Sequence, residues 1–464
     1  MIKYLWLLLL YANFSYADNL VELYGGCSNT VVTQVINANP TNYLTLLNTL
    51  QGGDKLKLSA GVYPVGLPIH NFNASQHNCI IIEGPDVGIA EFTARSCCNT
   101  VSIKDSSYVV IRNILINGNE LFVDAIKAEG NATYAHHITL EYIDIINHGV
   151  NQQAVGISTK CPAWNWVVRH NTITDSDGTS AGTGMYFGNS DGEKAFVNSL
   201  VEYNLVTNTT GYNMQIKHQN SRQTNLGAPA NGTTVIRHNV FSKVQNSSTG
   251  GAARPNLLVG HYPINGVGSN DEYHIYGNFF YQNSSVSEGL FQGTGNISFY
   301  NNLLYNNYGA GAYVQAHNGS GARSVRYFHN TVVTNGTGLR ISNPLSGFQQ
   351  ITLANAVFSP NPLVGGTQSD NFVDSFANGS IYLTNPVVTL PGMNLYPVQN
   401  QLTGSVIDVS TINSYTDWNK DFNGDVFDNS YRGAYSGSGN NTGWVLNLAI
   451  KSLAEIIFTN GFEL

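Results

Sequence analysis

Charge is what this chain has least of: Lys, Arg, Asp and Glu make up 11% of its 464 residues, 21 basic against 29 acidic, for a net charge of −8. So few charges, beside 47 glycines and 26 tyrosines, argue against a helical protein and suit stacked strands and turns lined with uncharged polar groups. The negative balance argues against nucleic acid as a partner and gives no global attraction for an anionic polymer, so an acidic ligand must be held by local cations. Long apolar runs are also missing. Beyond the first residues, none approaches the roughly 20 that a membrane helix needs. Cysteine is scarce and odd in number: Cys27, Cys79, Cys97, Cys98 and Cys161 allow at most two bridges and leave one thiol spare. They show no metal-ligand spacing and leave the pairing open.

What is present begins with a short leader. Lys3, the apolar run from Tyr4 to Tyr11 and the small-residue spacing Ser15-Tyr16-Ala17 read as a secretory signal peptide over 1–17. The expected location is secreted, periplasmic or cell-surface, with no membrane span. Some 447 residues remain. A repeat architecture can hold them in one long domain, because each coil needs only its neighbours.

A repeat is there. The β-rich runs VVIRNILI, HITLEYIDI, VVRHNTI, LVEYNLV, VIRHNVF, HIYGNFF, SFYNNLL and RYFHNTV share a position held by Asn113, Tyr142, Asn171, Asn204, Asn239, Asn278, Asn302 and Asn330. Successive spacings of 29, 29, 33, 35, 39, 24 and 28 residues fit one solenoid coil with loops of varying length. Apolar residues alternate around that position, as half-buried strands require. Parallel stacking would set these asparagines in a ladder with ~4.8 Å between rungs, bonding to one another and to turn backbone. The ladder reads as structure, not catalysis. A second series, AIKAEG, GISTKC, GMYFGNS, NMQIKHQ, NLLVGHY, GLFQGTG and YVQAHN, stacks Lys127 or Glu129, Lys160, Asn189, His218, His261, Thr294 and His317 along one edge. Polar and cationic side chains in a row make a linear groove of the kind that grips successive sugars.

The ends fit the same picture. TNYLTLLNTL, Thr41 to Leu50, is an amphipathic helix able to plug the open N-terminal coil. GDKLKLSAGVYPVGLPI after it resembles the opening of pectate-lyase-like β-helix proteins, and DWNKDFNGDVFDNSYRGAY resembles the closing segment of many secreted β-helix proteins. IIFTNGFEL is similar to a short tail on some exported bacterial proteins. The resemblance, to secreted bacterial proteins of the pectate-lyase-like superfamily, implies an all-β, right-handed parallel β-helix with a short N-terminal capping helix and an irregular C-terminal segment. The division expected is 18–362 for the capped β-helix and 363–464 for the C-terminal coils, closing segment and tail. Fold of this kind does not fix chemistry, since β-helices also serve hydrolases, epimerases, esterases and adhesins.

The chemistry must come from residues. A uronate-cleaving lyase needs a cation or metal against the carboxylate, a base for the C5 proton and a donor for the leaving oxygen. Three consecutive coils supply such groups. Lys217 or His261 is the candidate base, with His218 beside them; Arg254 is the carboxylate clamp; Tyr186 or Tyr262 is the acid or sugar platform. Lys160, Asn189, Gln215, Arg222, Gln292 and His317 extend the expected substrate surface. Against each stands a plain alternative: Arg254 precedes Pro255 and could anchor a loop, and a lone histidine is usually a hydrogen-bonded surface residue. Asp175, Asp177, Asp191 and Glu193 lie in glycine-rich loops beside the groove and could hold calcium, although turn-capping is the simpler reading of all four. Asp421, Asn423 and Asp425 have calcium-loop spacing without the bidentate Glu and read as a turn.

A glycoside hydrolase would need two carboxylates at roughly 5 to 9.5 Å, such as Asp191 with Glu193 or Asp175 with Asp191. The paired-aspartate, Gly-His-Gly and Arg-Ile-Lys motifs of polygalacturonase-like β-helices are missing; Asn147-His148-Gly149 is a partial echo. An epimerase would share the lyase groups. A non-catalytic carbohydrate-binding or adhesive rod, with tyrosines stacking on sugars, is the further alternative. In every case the expected partner is an extracellular polysaccharide, and the expected state a monomer.

Overall fold

The computed structural model describes residues 20–452, apart from 131–133, 149–153, 175, 177–181, 245–246, 286–287 and 388. The leader at 1–17, Asp175, Asp177 and the tail IIFTNGFEL lie outside the described residues.

Short strands follow one another around a coil, and each pairs in parallel with its counterpart one coil on. Eleven of them, from Leu67–His70 to Asn361–Val364, form one face, here termed the groove sheet. The other two faces merge into a single 25-stranded sheet, because the twelve-residue strands Ser106–Asn117 and Ala135–Ile146 each run through both. The result is a right-handed parallel β-helix, with crossover handedness as parallel pairing imposes. Side chains alternate along each strand, so every second residue enters the rod. Ile157, Met185, Met214, Leu257 and Phe291 stack there in successive coils, all fully buried. Each such side chain contributes about 1.5–3 kcal/mol by leaving water.

The corner between the merged faces is made by one residue of positive φ per coil, including Tyr142 (54°), His170 (52°), Tyr203 (51°) and His238 (55°). The asparagine ladder follows immediately after this corner. From Asn171 through Asn204, Asn239, Asn278, Asn302, Asn330 and Asn355 to Asn371, each side-chain amide donates to the side-chain oxygen of the next at 2.9–3.1 Å. The backbone N–H of each rung donates to that same oxygen, as Asn204 N–H does to Asn239 at 3.0 Å. Two expected rungs need correction. Asn113 and Tyr142 take the positive-φ corner, and the rung positions of their coils hold Ile114 and Ile143. Tyr142 instead opens a ring stack, parallel to His170 at 4.9 Å, which lies 5.1 Å from Tyr203. Asn355 and Asn371 are rungs the repeat did not announce.

The strand pairing continues to Phe372–Asp374, beyond the expected change at 362. From there the chain turns back along the rod. Ile407 and Ile412 pack on Tyr276, Tyr300 and Phe328, while Leu395, Phe422 and Trp444 cover Phe279, Leu303 and Val333. Asp417 receives Arg237 Nη1 at 3.1 Å and the Tyr276 hydroxyl at 2.9 Å, and Lys451 Nζ is buried against the carbonyl oxygens of Phe422 and Gly277. The returning segment thus clothes the merged sheet. At the other end the helix Tyr43–Leu47 plugs the first coils, with Tyr43 edge-on to Tyr63 at 5.0 Å. Bridges join Cys27 to Cys79 and Cys97 to Cys98, and Cys161 is a buried free thiol, the one spare that the odd count required.

Candidate functional site

The register of the groove sheet determines which side chains share its outer face. Lys127, Ser158, Tyr186, Gln215, Leu258, Gln292, Tyr313 and Arg340 are consecutive partners in one outward row. A second row begins just past the strand ends. There the N–H groups of Lys160, Lys217, Gly260, Thr294 and Gln315 donate to Ala128, Phe187, Ile216, Val259 and Gly293. Lys160 and Lys217 therefore belong to one row, two coils apart, with Gly188 between them.

That assignment corrects the expected stack by one residue: Asn189, His218 and His261 lie one position further along than Lys160 and Thr294. The two glycines flanking Lys217 matter for access. A Cβ on Gly188 would sit 3.1 Å from Lys217 Cβ, and one on Gly260 would sit 2.3 Å from the His218 nitrogen. Lys217 therefore stands with bare backbone on either side. Neither Lys160 nor Lys217 forms an ion pair with a described residue. Burial, joined by the charge of Arg254, lowers the Lys217 pKa from its ordinary value. The Lys160 ammonium lies 3.3 Å over the Tyr186 ring, and burial brings its pKa to about 8 against the opposing pull of Asp124. Tyr186 is only 4% exposed, and burial pushes its hydroxyl to about 12, so it packs beneath Lys160 more than it faces a ligand.

His218 and His261 stand side by side, ring centres 5.4 Å apart. Burial first, then the charges of His261 and Lys217, lowers the His218 pKa, so His218 is neutral at neutral pH. His261 cannot be the base. It is 1% exposed, and both ring nitrogens face backbone carbonyls, Nδ1 that of Tyr262 at 2.7 Å and Nε2 that of Asn318 at 2.9 Å, so neither is turned toward a ligand. His317 sits at an exposed turn tip, close enough for the Lys217 charge to lower its pKa in addition to burial.

Arg254 is held rather than free. Its guanidinium donates to the carbonyls of Gly251 and Ala253 at 3.0 and 2.6 Å and lies 5.8 Å from the Tyr212 ring. Its own carbonyl accepts Lys243 Nζ at 2.7 Å and the Asn283 amide at 2.8 Å. Lys243, fully buried and brought by burial to a pKa of about 7, is the residue that sequence reasoning missed. Its signal was available: a lysine in the otherwise uncharged strand Val240–Lys243.

Two further expectations are overturned by burial. Arg222 has a side-chain exposure of 0% and forms an ion pair with Asp271 at 2.5 Å, while donating to the Pro229 carbonyl at 2.7 Å. Tyr262 is buried and stacks on Tyr273 at 4.4 Å. Neither can meet a substrate. Gln215 occupies the outward row but is almost wholly covered, whereas Gln292 in the same row is half-buried.

On the acidic side, Asp191 Oδ1 accepts the Glu193 N–H at 2.9 Å, and Asn189 Oδ1 accepts the Lys194 N–H at 2.9 Å; both are turn contacts. Glu193 accepts from Asn220 at 3.3 Å and Ser221 at 3.4 Å. Among the described residues, no three His, Cys, Asp or Glu side chains gather as a metal site. Asp421 is the turn its spacing suggested, taking the N–H groups of Asn423 and Asp425.

No family model matches the chain, and no curated protein is significantly similar to it. Among solved structures it is similar to a mutant of the PL6 family alginate lyase AlyGC, with 10% identity and a TM-score of 0.49, over 79% of this chain and 55% of that one. Pectate lyase Pel9A matches with 12% identity and a TM-score of 0.46, over 92% of this chain and 98% of that one. The PL6 family polysaccharide lyase Pedsa3628 from Pseudopedobacter saltans matches with 11% identity and a TM-score of 0.47, over 74% and 93%. This chain thus spans little more than half the length of the alginate lyase. By its own strand pairing it is a right-handed parallel β-helix.

Proposed function

We propose that this is an exported polysaccharide lyase that seats a uronate-containing polymer along the groove sheet and cleaves it by β-elimination. The observation that carries the reading is Lys217: outward, without an ion pair among the described residues, bared by Gly188 and Gly260, and lowered in pKa by burial and by Arg254. In its neutral form it takes the C5 proton. The C5–H electrons become the C4=C5 double bond, the C4–O bond breaks, and Lys217 in its newly protonated form returns a proton to the leaving oxygen. Lys160, with the positive field of Arg254, offsets the uronate carboxylate as charge develops on it. His218 and His317 border this centre, with Gln292 and Asn189 further along.

A calcium ion would supply the same neutralisation. Asp191 and Glu193 are engaged in their own turn, so no step is routed through a cation here. The second reading, a non-catalytic carbohydrate-binding rod, is favoured by the engagement of His261 and Arg254 with backbone carbonyls.

The test is ultraviolet absorbance of unsaturated uronate, using purified protein on alginate, pectate, hyaluronan, chondroitin and heparosan, with calcium and then with chelator. Growth of absorbance on one polymer, lost in Lys217→Ala, supports the lyase; a chelator-sensitive rate would direct attention to Asp175, Asp177, Asp191 and Glu193. A flat trace on every polymer, with no reducing ends released, sinks it in favour of an epimerase or a binding rod.

A further inference from the structure

At the N-terminal end of the groove sheet lies a cavity of about 840 Å³. Its wall includes Ser102 and Lys127, which belong to the same outward row as Ser158, Tyr186 and Gln215, so the cavity opens directly onto the groove. The charge of Lys127 reaches Lys160, two coils short of Lys217.

The lining has three features suited to a sugar acid. Arg95 is half-buried and forms no ion pair with a described residue, whereas Lys127 is paired with Glu129 at 3.2 Å. Phe122, 59% exposed, lines the cavity and offers it a phenyl ring. The exposed Cys97–Cys98 bridge sits at the tip of the turn closed by the Arg95 and Cys98 backbones, presenting a short apolar plate beside the guanidinium. A pyranose offers an apolar C–H face to such surfaces and a carboxylate to a bidentate guanidinium. Concavity, apolar wall and one free cation are the ordinary ingredients of a ligand pocket.

We propose that this cavity is a distal subsite for an acidic sugar residue, with Arg95 as carboxylate clamp and Phe122 as stacking surface. It rests on the reading of the groove as a polyuronate site. From the Lys127 strand to the Lys217 strand is three coils, ~14 Å at strand spacing, so the subsite is filled only by chains long enough to span that distance.

The experiment compares size-graded oligouronates of alginate, pectate and hyaluronan, from dimer to octamer, by titration calorimetry and by the lyase assay on wild type, Arg95→Ala, Arg95→Lys and Phe122→Leu. Affinity should rise with chain length in wild type. Arg95→Ala and Phe122→Leu should weaken the long chains about tenfold, raise KM without lowering kcat and leave the shortest bound ligands unchanged, with Arg95→Lys intermediate. Unfolding midpoints matching wild type exclude a folding defect. If wild type acts on a polymer but the variants equal it at every length, the subsite is refuted while the groove reading stands. If no chain of any length binds wild type, both fall together.

Discussion

Lys160 holds its ammonium 3.3 Å above the Tyr186 ring, in the same row as Lys217 and two coils away from it. Its pKa of about 8, set by burial with help from Lys127 and Lys217, places its charge within reach of ordinary buffers. Protonated Lys160 attracts an acidic polymer and the neutral amine does not. Affinity should therefore fall as pH rises through 8, and Lys160→Arg, which stays charged, should remove that dependence. Titrations of wild type at pH 7 and 9 with indistinguishable affinities would end this account.

Lys217 works in the opposite sense, since a base must be deprotonated to act. Its lowered pKa means that turnover rises with pH and levels off below the ordinary lysine value of 10.5. Lys217→Arg keeps the positive charge and cannot yield a free base, so kcat should drop by at least ~100-fold with binding little changed. Retention of activity in that variant would assign the base elsewhere.

The ion pair of Arg222 and Asp271 is buried on both sides. Arg222→Leu strands the carboxylate, and urea unfolding should show a loss of about 3–5 kcal/mol. Replacing both partners by leucine should recover most of that loss. Weaker polymer binding in a folded Arg222→Leu protein would restore Arg222 to the substrate surface.

His170 lies in the stack between Tyr142 and Tyr203, and burial lowers its pKa to about 4, with the Arg169 charge adding to the shift. In the unfolded chain it titrates near 6.5. The unfolded state therefore binds the extra proton first, and stability is lost as pH falls from 6.5 through 4. His170→Tyr retains the stack, as the neighbouring tyrosines do at the same corner, and should make that decline shallower by the share of one proton, with His136, His137, His148 and His329 supplying the rest, in urea midpoints measured across this range. An unchanged slope would place the acid sensitivity in other groups.

Much of the architecture was legible because the rungs from Asn171 to Asn330 recur in strands of alternating burial, a signal that survives loops of changing length. It failed where another residue type met the same need. Asn113 and Tyr142 tolerate positive φ, and asparagine is common both there and on the rung, so the first two coils were read one residue out. The groove slipped by one residue for a related reason: with Gly188 and Gly260 in the row, the neighbouring Asn189, His218 and His261 carried the visible chemistry. Burial decided the rest. Arg222 and Tyr262 look like substrate groups in sequence, and only tertiary packing shows Asp271 and Tyr273 against them. Lys160 and Lys217, by contrast, were visible as rare cations in a chain with little charge.

The coils become available to fold in order from the N-terminal end, and each can settle on the one before as it emerges. Tyr276, Tyr300 and Phe328 nevertheless keep a wet apolar stripe on the outside of the nascent rod until Ile407 and Ile412 follow them out. The rod is thus at its most adhesive when nearly complete, and neighbouring chains in the same state offer one another matching stripes. The arrival and folding-back of the final segment therefore compete with association between incomplete rods.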